Sequence, residues 1–344
     1  MRRYLLLYLS AVFVFCVFLL SGILWMKEAD QKTEIPFDTQ ITVYTTRPQE
    51  ELSLLATKYQ QRYRVKVNIT SLTDEELETK FNTQSQNIDA DVILASSSTL
   101  ERLAKKDLFL PLTGDTFDLV PSVLKSNTSQ WVSVWYDPFV IGLNRDFMMK
   151  LSPVPDSWDD IVRPSELRVV VTDFLMADAS AHFFLSFMKQ NGQLATYDWL
   201  ERLHPNIVSY AKYLSTPSRT IGLGEADAAI TLQSEAIRYI HDGFPIAIVV
   251  PSEGTPYLAT ACAVMRSSLL TDEAEAFARW LLSEEVQMIL TEQQYYFVPA
   301  NPSLPSYQSF TYPTENLWNS NPFLPEKSRY KLLDKWVQEI RIAK

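Results

Sequence analysis

The chain has 344 residues, more than one average domain, with 47% hydrophobic residues and only 8 glycines, a composition that excludes disordered, collagenous and low-complexity classes. Its formal net charge of −10 argues against nucleic acid or an anionic membrane surface as a partner. The two cysteines, Cys16 and Cys262, both lie in apolar runs, so no intrachain disulfide is expected.

Tyr4 to Met26 form an almost unbroken apolar run, about long enough to cross a bilayer as a helix. Arg2 and Arg3 precede it and Lys27, Glu28 and Asp30 follow, so the positive-inside rule puts the remainder outside the cytoplasm. A cleaved signal peptide competes with this reading, but neither Leu20-Ser21-Gly22 nor Lys27-Glu28-Ala29 is a good cleavage site. The expectation is an N-terminal transmembrane helix over residues 1–26 that anchors an extracytoplasmic protein, with residues 27–37 as a polar tether.

The run ITVYTTRPQEELSLLATKYQQRY follows. Ile41 and Val43 alternate with polar neighbours as in a half-buried strand, and Leu52, Leu55, Ala56 and Tyr59 share one helical face. The joint TTRP places Thr45, Thr46 and Arg47 at a helix N-terminus beyond the carboxyl end of a strand, where free backbone N–H groups favour ligands in open α/β sheets. A threonine at such a joint is also simply a cap. VKVNIT reads as a strand, and Thr73 and Glu76 in TDEELETKF are spaced as a capping box. DADVILASSSTLERLAKKDLF repeats the opening plan: a buried strand from Val92 to Ala95, a serine-rich joint with Ser97 and Ser98, and a helix with Ser98 and Glu101 spaced as a second box.

WVSVWYDPFVIGLNRD is a long extended segment broken at Pro138. A second set of α/β units comes next: the short helix SWDDIV, the strand RVVVTD, and a helix opening at Asp178 to Ser180 and stopped by Asn191-Gly192. ATYDWLERL, then TPSRTIGLGEADAAI containing Arg219, SEAIRYIHDG and the strand PIAIVV complete it. Glu253 stands in the turn PSEGT. LATACAVM precedes a pair of amphipathic helices in TDEAEAFARWLLSEEVQMIL, and the last helix aligns Leu332, Leu333, Trp336, Val337 and Ile340 on one face. Strands alternating with helices in two sets predict two lobes, each a sheet covered on both faces.

In this order, ITVYTTRPQEE, DADVILASSSTLERLAKKDLFLPL, FVIGLNRD, VPDSWDDIVRPSEL, GEADAAI, GFPIAIVVPSEGTP and EAFARWLLSEEVQMIL resemble the extracytoplasmic solute-binding proteins of ABC transporters, in the branch of ferric-ion, phosphonate, sugar-phosphate and polyamine binders. The resemblance implies a type II periplasmic-binding-protein fold: α/β, two lobes, a two-strand hinge and an interlobe cleft. It assigns residues 38–138 and 256–344 to lobe one and 139–255 to lobe two, with hinge crossings near 139–143 and 249–260. The joints TTRP, SSST, ADAS and TPSR then bring Thr45, Thr46, Arg47, Ser97, Ser98, Asp178, Ser180 and Arg219 to one cleft. Such a set of donors suits an oxyanion, an organophosphate or phosphonate first. Arg47 and Arg219 would pair with it from opposite lobes, and Glu253 at the second crossing would accept an ammonium or brace the hinge.

The alternatives are a ferric-ion binder and a ligand-sensing accessory to a membrane sensor kinase in place of a permease. Ferric members of the branch place a histidine just after the first strand and a tyrosine pair in the second lobe, whereas this chain has Pro48 and, between Ala228 and Tyr239, only Tyr239. Its one adjacent pair is Tyr295-Tyr296, and His182, His204 and His241 have no metal-ligand spacing. Asp159-Asp160 and Glu284-Glu285 point to different faces, and no GxSxG elbow or triad is present, so no enzyme is expected. The reading is a monomer that binds a small molecule, with no cofactor and no structural metal.

Overall fold

A computed structural model describes residues 39–83, 88–151, 153–163, 167–308, 310, 316–318, 324 and 326–342. Ten strands form one mixed sheet in the order β2-β1-β3-β9-β4-β7-β5-β6, with β10 and β8 also paired to β4. The strands are β1 (Thr39–Thr45), β2 (Val65–Ser71), β3 (Val92–Ser96), β4 (Val132–Asn144), β5 (Val169–Thr172), β6 (Ile207–Ala211), β7 (Ala228–Leu232), β8 (Ile246–Val249), β9 (Tyr257–Val264) and β10 (Val298–Pro299). The main helices are α1 (Gln49–Tyr63), α2 (Asp74–Thr83), α3 (Ser97–Ala104), α4 (Asp178–Asn191), α5 (Gln193–Leu203), α6 (Thr216–Gly222), α7 (Gln233–His241), α8 (Thr271–Leu281), α9 (Glu284–Glu292) and α10 (Glu326–Trp336).

β4 organises everything else. All 13 of its residues are buried. Val132 to Pro138 pair with β9, whereas Phe139 to Leu143 pair with β7 and Ile141 to Asn144 with β8. The strand therefore runs straight through Pro138, where a break was expected. Proline falls where β4 exchanges one partner for another, so its missing N–H interrupts neither ladder.

Each half of the sheet has a core on both faces, and side-chain alternation sorts residues between them. Ile41, Val43, Val92 and Leu94 enter one core of the first half, and Tyr44, Ile93 and Ala95 enter the other. In the second half, Phe139, Ile141, Val169, Val171 and Ile230 share one core, and Val140, Val170 and Ala229 share the opposite one. This is the two-lobe α/β architecture that the alternation of elements and the resemblance anticipate.

The expected capping box forms: Glu76 N–H donates to Thr73 Oγ1 at 3.1 Å and Thr73 N–H to Glu76 Oε2 at 2.8 Å. The second box does not form. Ser96 caps α3 through Thr99 N–H, and Glu101 instead accepts a bond from Trp131 Nε1. The last helix presents the predicted face, Leu333, Trp336 and Ile340 being buried with Leu332 and Val337 beside them. That face enters the second-half core, whereas the resemblance assigned residues 256–344 to lobe one.

The expected N-terminal transmembrane helix, and the membrane anchorage drawn from it as a partner and location, is not found in the described structure: no helix among the described residues is long and apolar enough to cross a membrane. Residues 1–26 and the tether 27–37 lie outside the described residues.

Near the second passage between halves, Gly254 adopts a φ of +96°, and a Cβ there would stand 2.5 Å from the Asn316 carbonyl oxygen and 2.7 Å from Trp318 Nε1. Thr255 N–H donates to Asn316 O at 2.9 Å and Trp318 N–H to Thr255 O at 3.0 Å, so that turn and the C-terminal segment are stitched together. Gly254→Ala combines backbone strain with a clash against backbone, and the expected loss exceeds about 1 kcal/mol. A thermal melt followed by circular dichroism should show a midpoint lower by roughly 2–4 °C or more; a midpoint equal to the wild type would contradict this account of the turn.

Candidate functional site

Strand direction decides where the helix starts converge. β1 and β3 are parallel to each other, β3 is antiparallel to β9, and β9 is antiparallel to β4, so β1 and β3 run with β4. β7 is antiparallel to β4 and parallel to β5, and β5 is parallel to β6, so that trio runs against it. The carboxyl ends of both sets therefore point at the middle of β4. In register, Ser96 at the end of β3 pairs with Thr260, which pairs with Trp135, while Leu232 at the end of β7 pairs with Phe139. Asp137 lies between these two positions.

Asp137 is 5% exposed. Its Oδ1 accepts the Ser234 backbone N–H at 3.0 Å and its Oδ2 the Ser234 hydroxyl at 2.5 Å, capping α7 from the shared strand. Burial pushes this carboxyl up to about 7, against the lowering effect of the two Ser234 bonds; Glu235 pushes in the same direction as burial, and Arg47 opposes it. Glu235, itself raised by burial, is paired with Arg238.

From the first half comes Arg47. Its backbone N–H donates to Thr45 Oγ1 at 2.9 Å, and its guanidinium grips the buried Glu51 carboxylate through Nε at 3.1 Å and Nη2 at 2.5 Å. The guanidinium carbon stands 5.7 Å from the centre of the Phe297 ring. Phe297 is stacked between Trp135 and Tyr295, with ring centroids 6.1 Å and 5.7 Å away. The Tyr295 phenol is pushed up by burial first and then by Glu51, with Arg47 pulling it down. Tyr296 turns elsewhere, onto His241 of α7.

The residues singled out from sequence are dispersed. Thr45, Thr46 and Arg47 adjoin the Ser96–Ser98 joint through adjacent parallel strands, with Thr46 N–H donating to Leu94 O at 3.2 Å. There Ser98 Oγ lies 2.8 Å from Ser96 Oγ, and Ser97 opens α3. Ser180 is buried and its hydroxyl is engaged by the Asp173 and Ala177 carbonyls. Asp178 is 92% exposed and paired with Arg329. Arg219 is exposed on α6 and makes no ion pair among the described residues. Glu253 accepts the Trp158 N–H at 2.6 Å, bracing a loop beside the second passage, and burial raises its carboxyl.

Asp137, Ser234, Glu235 and Phe297 escaped the sequence reading, which took Tyr295 and Tyr296 together as packing or cleft wall. One signal was present: Asp137 is the only ionisable acid in VSVWYDPFVIGL, a run long enough to cross a core, and a carboxylate there needs a partner.

Because the folded Asp137 carboxyl is raised from 3.8 to about 7, its contribution to stability is fully present below about 4 and is lost as the pH rises through 7. Asp137→Asn keeps an acceptor for Ser234 and removes that dependence. The ligand-free variant should gain on the wild type as the pH rises from about 4 to 7, at a rate of about 1.4 kcal/mol per pH unit. Parallel pH profiles of urea midpoints for the two proteins would refute the placement of the charge.

The family described as bacterial extracellular solute-binding protein matches residues 55–322. An uncharacterized protein of Haemophilus influenzae is 26% identical over 219 residues, 62% of this chain, which spans only 63% of that relative's length. A probable ABC transporter periplasmic-binding protein of Sinorhizobium fredii is 23% identical over 276 residues, 78% of this chain and 76% of that one. Among solved structures, the Bordetella ferric binding protein superposes with a TM-score of 0.70 at 21% identity, covering 86% of this chain and 98% of its own. AfuA of Actinobacillus pleuropneumoniae, with fructose-6-phosphate bound, gives 0.63 at 20% identity, covering 89% and 100%. A Trichodesmium protein in complex with iron and citrate gives 0.68 at 16% identity, covering 87% and 98%. At these identities the structures establish the fold.

Proposed function

The chain belongs to the bacterial extracellular solute-binding proteins, and from that premise we propose that it captures a small solute at the middle of β4 and delivers it, outside the cytoplasm, to an ABC-transporter permease. Membership of this family makes it a binder and not an enzyme. The solute in this reading is ferric iron, carried as a complex with a small organic polyanion.

The observation that carries the reading is the mixture of charges where the two halves meet. Arg47, Glu51, Asp137, Glu235 and Tyr295 influence one another there. Carboxylates and a phenol are hard oxygen groups suited to a hard cation, and a guanidinium suits the carboxylates of a carrier anion. A bare ferric ion is less well served. Among the described residues no group of three or more His, Cys, Asp or Glu stands close enough to hold a metal ion, and Tyr295 and Tyr296 turn to different neighbours. The organophosphate reading is weaker, because a simple oxyanion brings no cation to replace Arg47 at Glu51, Ser180 is spent on carbonyls, and Arg219 is exposed. Solved relatives of this fold include a ferric binding protein and one holding iron with citrate, which supports iron ahead of a sugar phosphate.

A thermal-shift comparison of ferric citrate, citrate alone and fructose 6-phosphate tests this. At about a hundred times its dissociation constant the true ligand adds about 2.7 kcal/mol of stability, and ferric citrate is expected to do so where the other two do not. Tyr295→Phe should remove any visible tyrosinate-to-iron absorbance. Stabilisation by fructose 6-phosphate with none by ferric citrate would return the site to an organophosphate.

A further inference from the structure

His241 ends α7, the helix that follows β7 in the second half, and Tyr296 precedes β10, whose Val298 pairs with Tyr136 in the first half of β4. The two rings, one from each half, meet with centroids 4.7 Å apart and planes within 2° of parallel. Near-parallel planes at that separation fall within the roughly 4.5–7 Å range over which aromatic pairs attract. His241 is exposed and Tyr296 half-buried, so the contact lies at the rim, outside the charged cluster around Asp137. Its neighbours differ in kind from those of Tyr295, which stacks on Phe297 and faces Glu51 and Arg47.

We propose that the His241–Tyr296 stack is the latch that holds the two halves together over the bound solute, and that it sets how long the solute stays. This rests on the solute-binding reading for its second half, but the latch itself acts on the ligand-free chain. A ring pair at the rim is made only when the halves are closed, so it stabilises that state alone and leaves the open state untouched. It therefore raises the population of closed molecules and slows their reopening, without touching the solute. Position, not chemistry, is its role, and a phenylalanine at 296 preserves it.

Two measurements separate the latch from the ligand. In solution scattering of the ligand-free protein, His241→Ala and Tyr296→Ala should each enlarge the radius of gyration, the double variant no further than either single one, while Tyr296→Phe matches the wild type. In stopped-flow dissociation of ferric citrate, both alanine variants should release it about two- to tenfold faster, the span expected for the ~0.5–1.5 kcal/mol an aromatic pair carries. Unchanged dimensions in both alanine variants would overturn the latch, as would Tyr296→Phe behaving like Tyr296→Ala. If ferric citrate does not bind at all while the dimensions change as stated, the latch stands and the ligand assignment falls.

Discussion

Every feature of this protein that bears on ligand capture descends from one constraint: β4 is buried along its whole length yet belongs to two different ladders. A strand with both faces and both edges covered has no freedom to slip in register, because a shift by one residue would move every side chain to the opposite core. Val134 and Ile141 are thus fixed against different cores by the same continuous backbone. The direction of β4 then fixes the direction of its neighbours on both sides, and the helix starts of each half face its midpoint. The convergence of helix starts is a consequence of strand polarity before it is a consequence of any side chain.

The charges at that midpoint are arranged in compensated pairs, Arg47 with Glu51 and Arg238 with Glu235, around the one acid that has only hydroxyl and backbone donors. Partly buried ion pairs such as these contribute little net stability, since desolvation and solvent screening offset their attraction. Their value here is electrical neutrality in the absence of solute. A ligand that brings both signs of charge exchanges these partners without leaving an isolated charge behind, whereas a simple oxyanion must first draw Arg47 from Glu51.

Much of the fold was legible because its information is local. Alternation at Ile41 and Val43, the Thr73–Glu76 spacing and the apolar face from Leu332 in α10 to Ile340 just beyond it each need only a short window, and each appears in the structure. What local pattern does not specify is the partner. The face of α10 was readable, but nothing in it names the core it covers. Three consecutive serines offered three caps for α3, and the choice of Ser96 depends on where β3 leaves the sheet. Asp137 meets Ser234 across 97 positions of sequence, a separation at which no spacing rule operates. The adjacent tyrosines 295 and 296 look alike in sequence and part company in the structure, one stacking on Phe297 and the other on His241.

The chain passes from one half to the other more than twice. Leu317 packs against the first-half core and Trp318 enters the second, beside the turn at Gly254, before α10 settles on the second half, with Arg341 of the turn that follows held by Asp173. Two point tethers between a pair of rigid bodies leave rotation about the line through them, and a third that lies off that line opposes it. Any rotation of one half against the other must therefore also bend the thread at Leu317 and Trp318. The mutual position of Arg47 and Glu235, one on each half, is thus held by three backbone threads and not by their side chains alone.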